Sequence, residues 1–415
     1  MLQDAILRCS GHGGTVHLAP GTYRTAALLL SGTVAVYLPH GAVIEAGDRA
    51  HWYALRLHNC TGCRLTGEGS IDGRGQAWVR GSLPDRKLVR NFKDPSCTKA
   101  EECRPRLVGV EQSSQVTISG VTLIDPIYWS LHIHQSSQVM VSNVTIVSDF
   151  DIANTDGIDI DSSSDVQVTG CTIVTADDAI CLKTTHPGRA TERVAVRGCS
   201  LKSRSSAVKL GSESRADFRD ITFQHLQIVD SHRGLAIQLR DEGSMHSVSF
   251  DNITISTRYY NQTWWGGAEP IYVVATPRTA ATQLGSASNI RFSRITAVGE
   301  NGFFIAGAAG RRVTNLTISH TTLDLVKKTD WPGGSQDYRP GLRGLVHTGA
   351  TAPLWLEHAE HVAVQRVKVI YHVPFREDWE TTPHIDPAST AEVSFKDFVI
   401  DGLATRLAEG GGSVL

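Results

Sequence analysis

The chain has 415 residues, of which 41% are hydrophobic and 20% charged, and a formal net charge of -2. Such a chain is globular and long enough for several ordinary domains or one large one, and its near-neutral balance offers no basic face to nucleic acid or to a membrane surface. No apolar run is long enough to span a bilayer, and no basic-then-apolar leader follows Met1, so an export signal would have been removed or never present.

Met1 to Cys9, with Leu2, Ile6 and Leu7 on one face, predicts a short amphipathic helix over residues 1–10 that caps whatever follows. Cys60 and Cys63 form a CxxC, but neither a second CxxC nor a suitably spaced His pair follows, so no metal site and no cofactor is expected. Cys97 and Cys103 close a short polar loop, and a disulfide is expected between them. Downstream, a turn residue followed by alternating small and apolar residues recurs as GVTL at Gly120, NVTI at Asn143, GCTI at Gly170, GCSL at Gly198, HLQI at His225, NITI at Asn252, RITA at Arg294 and HTTL at His320. From Asn143 to Asn252 the starts are 27, 28, 27 and 27 residues apart, which is a solenoid period.

Each unit is rich in Val, Ile and Thr and punctuated by Gly, Asn, Ser and Asp. Such a unit cannot bury its apolar face alone, so coils stack as parallel strands roughly 4.8 Å apart with like residues above like. The expectation is an all-β chain forming one parallel β-helix over residues 1–415, with about ten coils. Cys171 and Cys199 would then form an inward stack. The segments 79–104, 256–290 and 324–362 are expected as loop insertions, and 403–415 as a tail. The loop from Tyr259 to Arg278 carries Tyr259, Tyr260, Trp264, Trp265 and Glu269, suited either to stacking on sugar rings or to packing within the loop.

Chemistry concentrates in Asn154-Thr155-Asp156-Gly157 and in Asp177-Asp178. Glycosidic hydrolysis needs one carboxylic acid to protonate the leaving oxygen and one carboxylate to activate water. Clustered carboxylates cannot all stay ionised cheaply, so one keeps a proton and is available as an acid. Stacking predicts Asp156 and Asp177 on adjacent rungs of one surface, whereas Asp161 and Asp165 read as polar caps of coil turns.

An ordered set of segments resembles the glycoside hydrolase family 28, which contains the polygalacturonases: GGTVHLAPGTY, LPHGAVIEA, GEGSIDGRGQAW from Gly67, RPRLVGV from Arg104, DPIYWSLHIHQSSQVMVSNVTI from Asp125, NTDGIDIDSSSDV from Asn154 and ADDAICLK from Ala176. The resemblance runs from about residue 3 to residue 400 and implies a right-handed helix and inverting hydrolysis. It makes Asp177 the proton donor and gives Asp156 and Asp178 the water, with Asn154 and Lys183 binding sugar. It also implies a secreted protein, a monomer acting on polysaccharide or oligosaccharide, and a precursor with a further turn and leader before the capping helix.

The chain departs from that family at two places. Ser206 stands where a histidine is expected, and a hydroxyl orients a carboxylate but adds no charge. Ala236 and Gln238 replace the Arg and Lys that hold the sugar carboxylate in polygalacturonases. Lys183, Lys209, Arg233 and Arg240 are candidates to compensate, and Ser206, Gln238 and Trp265 complete the candidate binding set. The expected function is therefore hydrolysis of a pectin-type substrate with altered specificity. The alternatives are a carbohydrate-binding relative without turnover and a lyase on the same solenoid. Sequons begin at Asn59, Asn143, Asn252, Asn261 and Asn315, and only Asn261 is expected to be modified.

Overall fold

The computed structural model describes residues 2–47, 52–80, 87–88, 104–262, 264–372 and 378–401. The expected Cys97–Cys103 bridge, most of the segment 79–104, Thr263 of the Asn261 sequon and the tail 403–415 lie outside the described residues. The chain forms two compact units, one of Met1–Lys183 and Arg189–Ser203, the other of Thr184–Gly188 and Arg204–Leu415. Both are stacks of parallel strands, with the right hand that parallel crossovers take. Among the described residues no helix is long and apolar enough to cross a membrane.

In the first unit the helix Leu2–Ser10 buries Ile6, while Leu7 is 55% exposed, so the expected apolar face is narrower than its sequence suggests. The helix covers the first strand edge through Gln3, whose side-chain amide accepts from the Leu29 N–H and donates to the Leu29 carbonyl, both at 2.8 Å. One sheet then stacks the strands Leu28–Gly32, Tyr53–Cys60, Arg106–Glu111, Leu131–His134, Ile158–Asp161 and Ile180–Thr184. Its pairing keeps like above like: Leu55, Val108, Leu131, Ile158 and Ile180 form one buried column, and Leu57, Val110, Ile133, Ile160 and Leu182 another. The intervening column runs Arg56, Gly109, His132, Asp159 and Cys181. Cys171 and Cys199 are both buried, with the Cys171 N–H 3.4 Å from the Cys199 sulfur, as an inward stack requires. Cys60 and Cys63 are joined in a disulfide that the CxxC spacing alone did not predict.

The second unit stacks Ser206–Ser214, Arg233–Leu239, Ile271–Ala275, Phe303–Ala306, Leu354–Glu357 and His384–Ile385. The segments expected as pure insertions thus contain coil strands: Ile271–Ala275 lies within 256–290, and Leu354–Glu357 within 324–362, beside the antiparallel pair Ser335–Asp337 and Leu345–His347. Short apolar strands flanked by long polar runs carry too little periodicity to stand out. Phe223, Phe250 and Phe292 stack in its core at 5.0 and 4.8 Å.

The repeated turn residue has a backbone cause. Gly120, Asn143, Gly170, Gly198, His225, Asn252, Arg294 and His320 all have positive φ, between 52° and 76°. Each coil bends there through a left-handed residue, which Gly adopts freely and Asn at small cost. The motif is therefore a conformational requirement written in side chains.

Candidate active site

The acidic runs enter two neighbouring strands of the first unit, Asp156-Gly157 before Ile158–Asp161 and Asp177-Asp178 before Ile180–Thr184. The Gly157 N–H donates to the Asp178 carbonyl at 2.9 Å, so pairing sets Asp178 over Asp156, with Asp177 beside it on the same neighbouring rung. This coil is shorter than the 27-residue repeat, and the turn before it takes up the difference. Gly157 admits no side chain, because a Cβ would lie 2.3 Å from the Ala179 carbonyl oxygen.

Asp156, Asp177 and Asp178 each bring an oxygen within 4.8 Å of the others. Asp156 is 3% exposed and Asp178 1%, whereas Asp177 is half-buried and the most accessible of the three. Asp177 Oδ2 faces the Asn154 N–H at 3.3 Å and its side-chain Nδ2 at 3.5 Å, and Asp177 Oδ1 accepts from the Asp178 N–H at 3.0 Å. Its carbonyl accepts from the Thr175 and Ser203 hydroxyls at 2.7 and 2.8 Å. Asn154, expected to bind sugar, is half-buried beside Asp177, and Arg104 fixes it in turn by donating to Asn154 Oδ1 at 2.7 Å.

A fourth carboxylate, Asp159, is fully buried beside them, with Lys183 Nζ 3.6 Å from its Oδ1. Sequence reading missed it, although its place between two inward isoleucines in Ile-Asp-Ile-Asp marks it as facing the same side as the cluster. Asp161 is buried as well, 3.4 Å from His132 Nε2, whereas Asp165 is half-buried and paired with Arg193. Burial, followed by the charges of Asp159 and Asp177, raises the Asp156 carboxyl well above its usual range. Burial pushes Asp159 up to about 8, with Lys183 partly opposing it. Lys183, the foremost expected sugar-binding cation, is thus committed to a carboxylate and lies 4.8 Å from the Trp129 ring centre. Asp156, Asp177 and Asp178, or Asp156, Asp159 and Cys181, are close enough to share a cation. The raised proton affinity of Asp156 and the Lys183 ammonium beside Asp159 lessen the same repulsion.

A pH dependence follows. Asp159 binds its proton more tightly folded than unfolded, so its stabilising contribution is complete below the unfolded carboxyl range near 3.8 and is lost as pH rises through about 8. Thermal melting should therefore fall across this window, and Asp159→Asn should flatten the slope. A calorimetric series at stepped pH checks this, and an unchanged slope in the variant would refute it.

The remaining expected site residues belong to the second unit. Lys209 lies 5.4 Å from the ring centre of Trp265, a cation and an aromatic face that together suit a sugar. Ser206 is buried at the start of its strand, opposite Arg233 in register. Arg233 is paired with the buried Glu269 at 3.2 Å and lies over Tyr272, so neither Arg233 nor Glu269 faces a ligand. Gln238 and Arg240 are corrected: both are fully buried. The Gln238 amide donates to the Arg339 carbonyl at 3.1 Å. The five N–H donors of Arg240 meet the carbonyls of Pro340, Leu239, Val274 and Tyr338 and the Tyr272 hydroxyl, leaving none for substrate. Ala236 is sealed in a cluster with Tyr272, Phe304, Tyr338 and Trp355. In the aromatic loop, Tyr259 stacks on Trp331 and the Tyr260 hydroxyl donates to the Asp230 carbonyl, so part of that wall is packing.

The profile of Glycosyl hydrolases family 28 matches residues 42–330. An exopolygalacturonase of Zea mays is 26% identical over 59% of this chain and 53% of its own length. The chain spans about half the length of the first curated relatives it matches. A hyperthermoactive exopolygalacturonase from Thermotoga maritima superposes with TM-score 0.65 at 18% identity, covering 77% of this chain and 82% of that one. The polygalacturonase from Erwinia carotovora ssp. carotovora gives TM-score 0.56 at 16% identity over 95% and 93%. At these identities the superpositions establish the parallel β-helix fold and no more.

Proposed function

The chain belongs to the glycosyl hydrolases of family 28, and from that premise we propose that it hydrolyses O-glycosidic bonds in a pectin-type polysaccharide or its oligosaccharides by acid and base catalysis with aspartates. The observation that carries this reading is the set of three carboxylates within 4.8 Å of one another, two buried and one accessible. Asp177, the member a sugar oxygen can reach, is assigned as proton donor, and Asp156 and Asp178 hold and deprotonate water. The raised affinity of Asp156 for a proton fits a set that keeps one proton among its members at rest.

Inversion is proposed from the family resemblance. Retention is the alternative outcome, for which carboxyl pairs stand about 5–5.5 Å apart against about 6.5–9.5 Å for inversion. Proton NMR of the first product formed decides between them. New reducing ends of inverted configuration, without unsaturated sugar, are expected; a retained anomer would overturn inversion, and an unsaturated product would overturn hydrolysis.

Altered specificity is part of the proposal, supported by the burial of Ala236 and Gln238 at the positions of the family's missing cations. The Cys60–Cys63 disulfide fits action outside the cell, on cell-wall material.

A further inference from the structure

Arg106 stands near the carboxylate cluster with its charge uncommitted. It opens the strand Arg106–Glu111 and is half-buried, with its guanidinium carbon 4.3 Å from the ring centre of Trp129, 5.2 Å from Tyr128 and 5.7 Å from Tyr53. Among the described residues the guanidinium makes no hydrogen bond or ion pair, and its Nε is buried without a partner. Among the described residues the neighbouring cations Arg104, Lys183 and Arg56 are occupied. Arg104 donates to the Ile127 and Ala153 carbonyls and to Asn154, Lys183 faces Asp159, and Arg56 is paired with Glu111.

An unpartnered buried donor costs about 1–3 kcal/mol, so the guanidinium is held at this place without a local hydrogen bond that offsets its partial desolvation. The Tyr53 ring beside Arg106 is itself fixed. The Tyr53 hydroxyl lies 2.7 Å from His132 Nδ1 and 3.2 Å from Glu111, and the Tyr53 ring crosses Gly109, where a Cβ would be 2.5 Å from it. The guanidinium is therefore held ready before any ligand arrives, which lowers the entropy lost on binding. Trp129, 4.3 Å from Arg106, is also the indole 4.8 Å from the Lys183 ammonium that faces Asp159, so one ring is shared by Arg106 and the cation of the acid cluster. A planar monoanion matches the guanidinium fork, and the half-buried rings of Tyr128 and Trp129 suit the apolar face of a sugar, with Tyr53 buried behind them.

We propose that Arg106, framed by Tyr53, Tyr128 and Trp129, binds the carboxylate of an acidic sugar of the substrate at a subsite in the first unit beside the hydrolytic aspartates. This rests on the reading of the chain as a pectic hydrolase. It differs from the positions of Ala236 and Gln238, which lie in the second unit and carry no charge.

The test is calorimetric binding of trigalacturonate and of its fully methyl-esterified form, in an Asp177→Asn background that stops turnover, with Arg106 intact, Arg106→Gln and Arg106→Lys. Each protein is first melted by circular dichroism. With Arg106 intact, the acid should bind about tenfold more tightly than the ester, the value of one bidentate charge-assisted pair. Arg106→Gln should abolish that preference by weakening the acid alone, and Arg106→Lys should keep the charge but lose several-fold. Equal affinity for the two forms, binding of neither, or a preference undiminished by Arg106→Gln would each overturn the subsite. Should the Gln variant melt below the assay temperature, an undiminished preference in Arg106→Lys overturns it equally. A product assay on the unmodified protein runs alongside. Acid preference without hydrolysis would sink the functional reading and leave the subsite standing, and hydrolysis without acid preference would do the reverse.

Discussion

Asp177→Asn should lower hydrolysis of a pectic substrate by on the order of 10²–10⁴-fold, the usual worth of a positioned general acid. The substitution removes the transferable proton and little else. An amide oxygen can still accept from the Asn154 and Asp178 N–H groups, and the carbonyl of residue 177 stays anchored by Thr175 and Ser203. Melting temperature and oligosaccharide binding should therefore be nearly unchanged, so the loss falls in kcat and not in KM. An aryl glycoside of the same sugar, whose leaving group departs without protonation, should recover much of the rate. Turnover at the original level on natural substrate would remove Asp177 from the donor role. So would a loss equally deep on the aryl glycoside, because that would point to damaged geometry.

Asp177 and its two partners were legible in the sequence because carboxylates at short spacing inside a 27-residue repeat have few structural uses. The turn motif was legible for a plainer reason: a left-handed residue is needed at every one of the eight marked positions, and side-chain choice there records backbone conformation. What escaped was set by distance along the chain. Gln238 and Arg240 read as surface residues of a strand, yet their partners Arg339 and Pro340 lie 101 and 100 residues later. Tyr338, also in that distant segment, helps to seal Ala236. Which of Asp177 and Asp178 stands directly over Asp156 is likewise set by strand pairing, which no repeat period specifies when a coil is shortened. Asp159 and Arg106 were hidden differently, as polar residues in strands whose ordinary reading is a solvated face. Only the burial of Asp159, and at the half-buried Arg106 the lack of a hydrogen-bond or ion-pair partner among the described residues, separates them from that reading.

The larger consequence for specificity is that unesterified polygalacturonate should be a poor substrate. Its kcat/KM is expected to be about 10–100-fold below that of a backbone in which a neutral sugar occupies the cleaved position and an acidic one adjoins it, the difference a missing bidentate cation makes. Arg106 would read the acidic sugar, whereas the positions that carry cations in polygalacturonases are closed. Ala236 packs against Tyr272, Phe304, Tyr338 and Trp355, and Gln238 is spent on the Arg339 carbonyl. Restoring the charge by Ala236→Arg should therefore not restore activity on polygalacturonate. A guanidinium forced into that aromatic cluster would be buried without a carboxylate, and the variant should lose stability. The comparison is made with polygalacturonate and rhamnogalacturonan fragments of matched length, reading initial rates by reducing ends. Equal or better kcat/KM on polygalacturonate would show that acidic sugars are accepted at the cleaved position by groups other than these. A gain of polygalacturonate hydrolysis in Ala236→Arg would show that the loop over Ala236 opens to substrate.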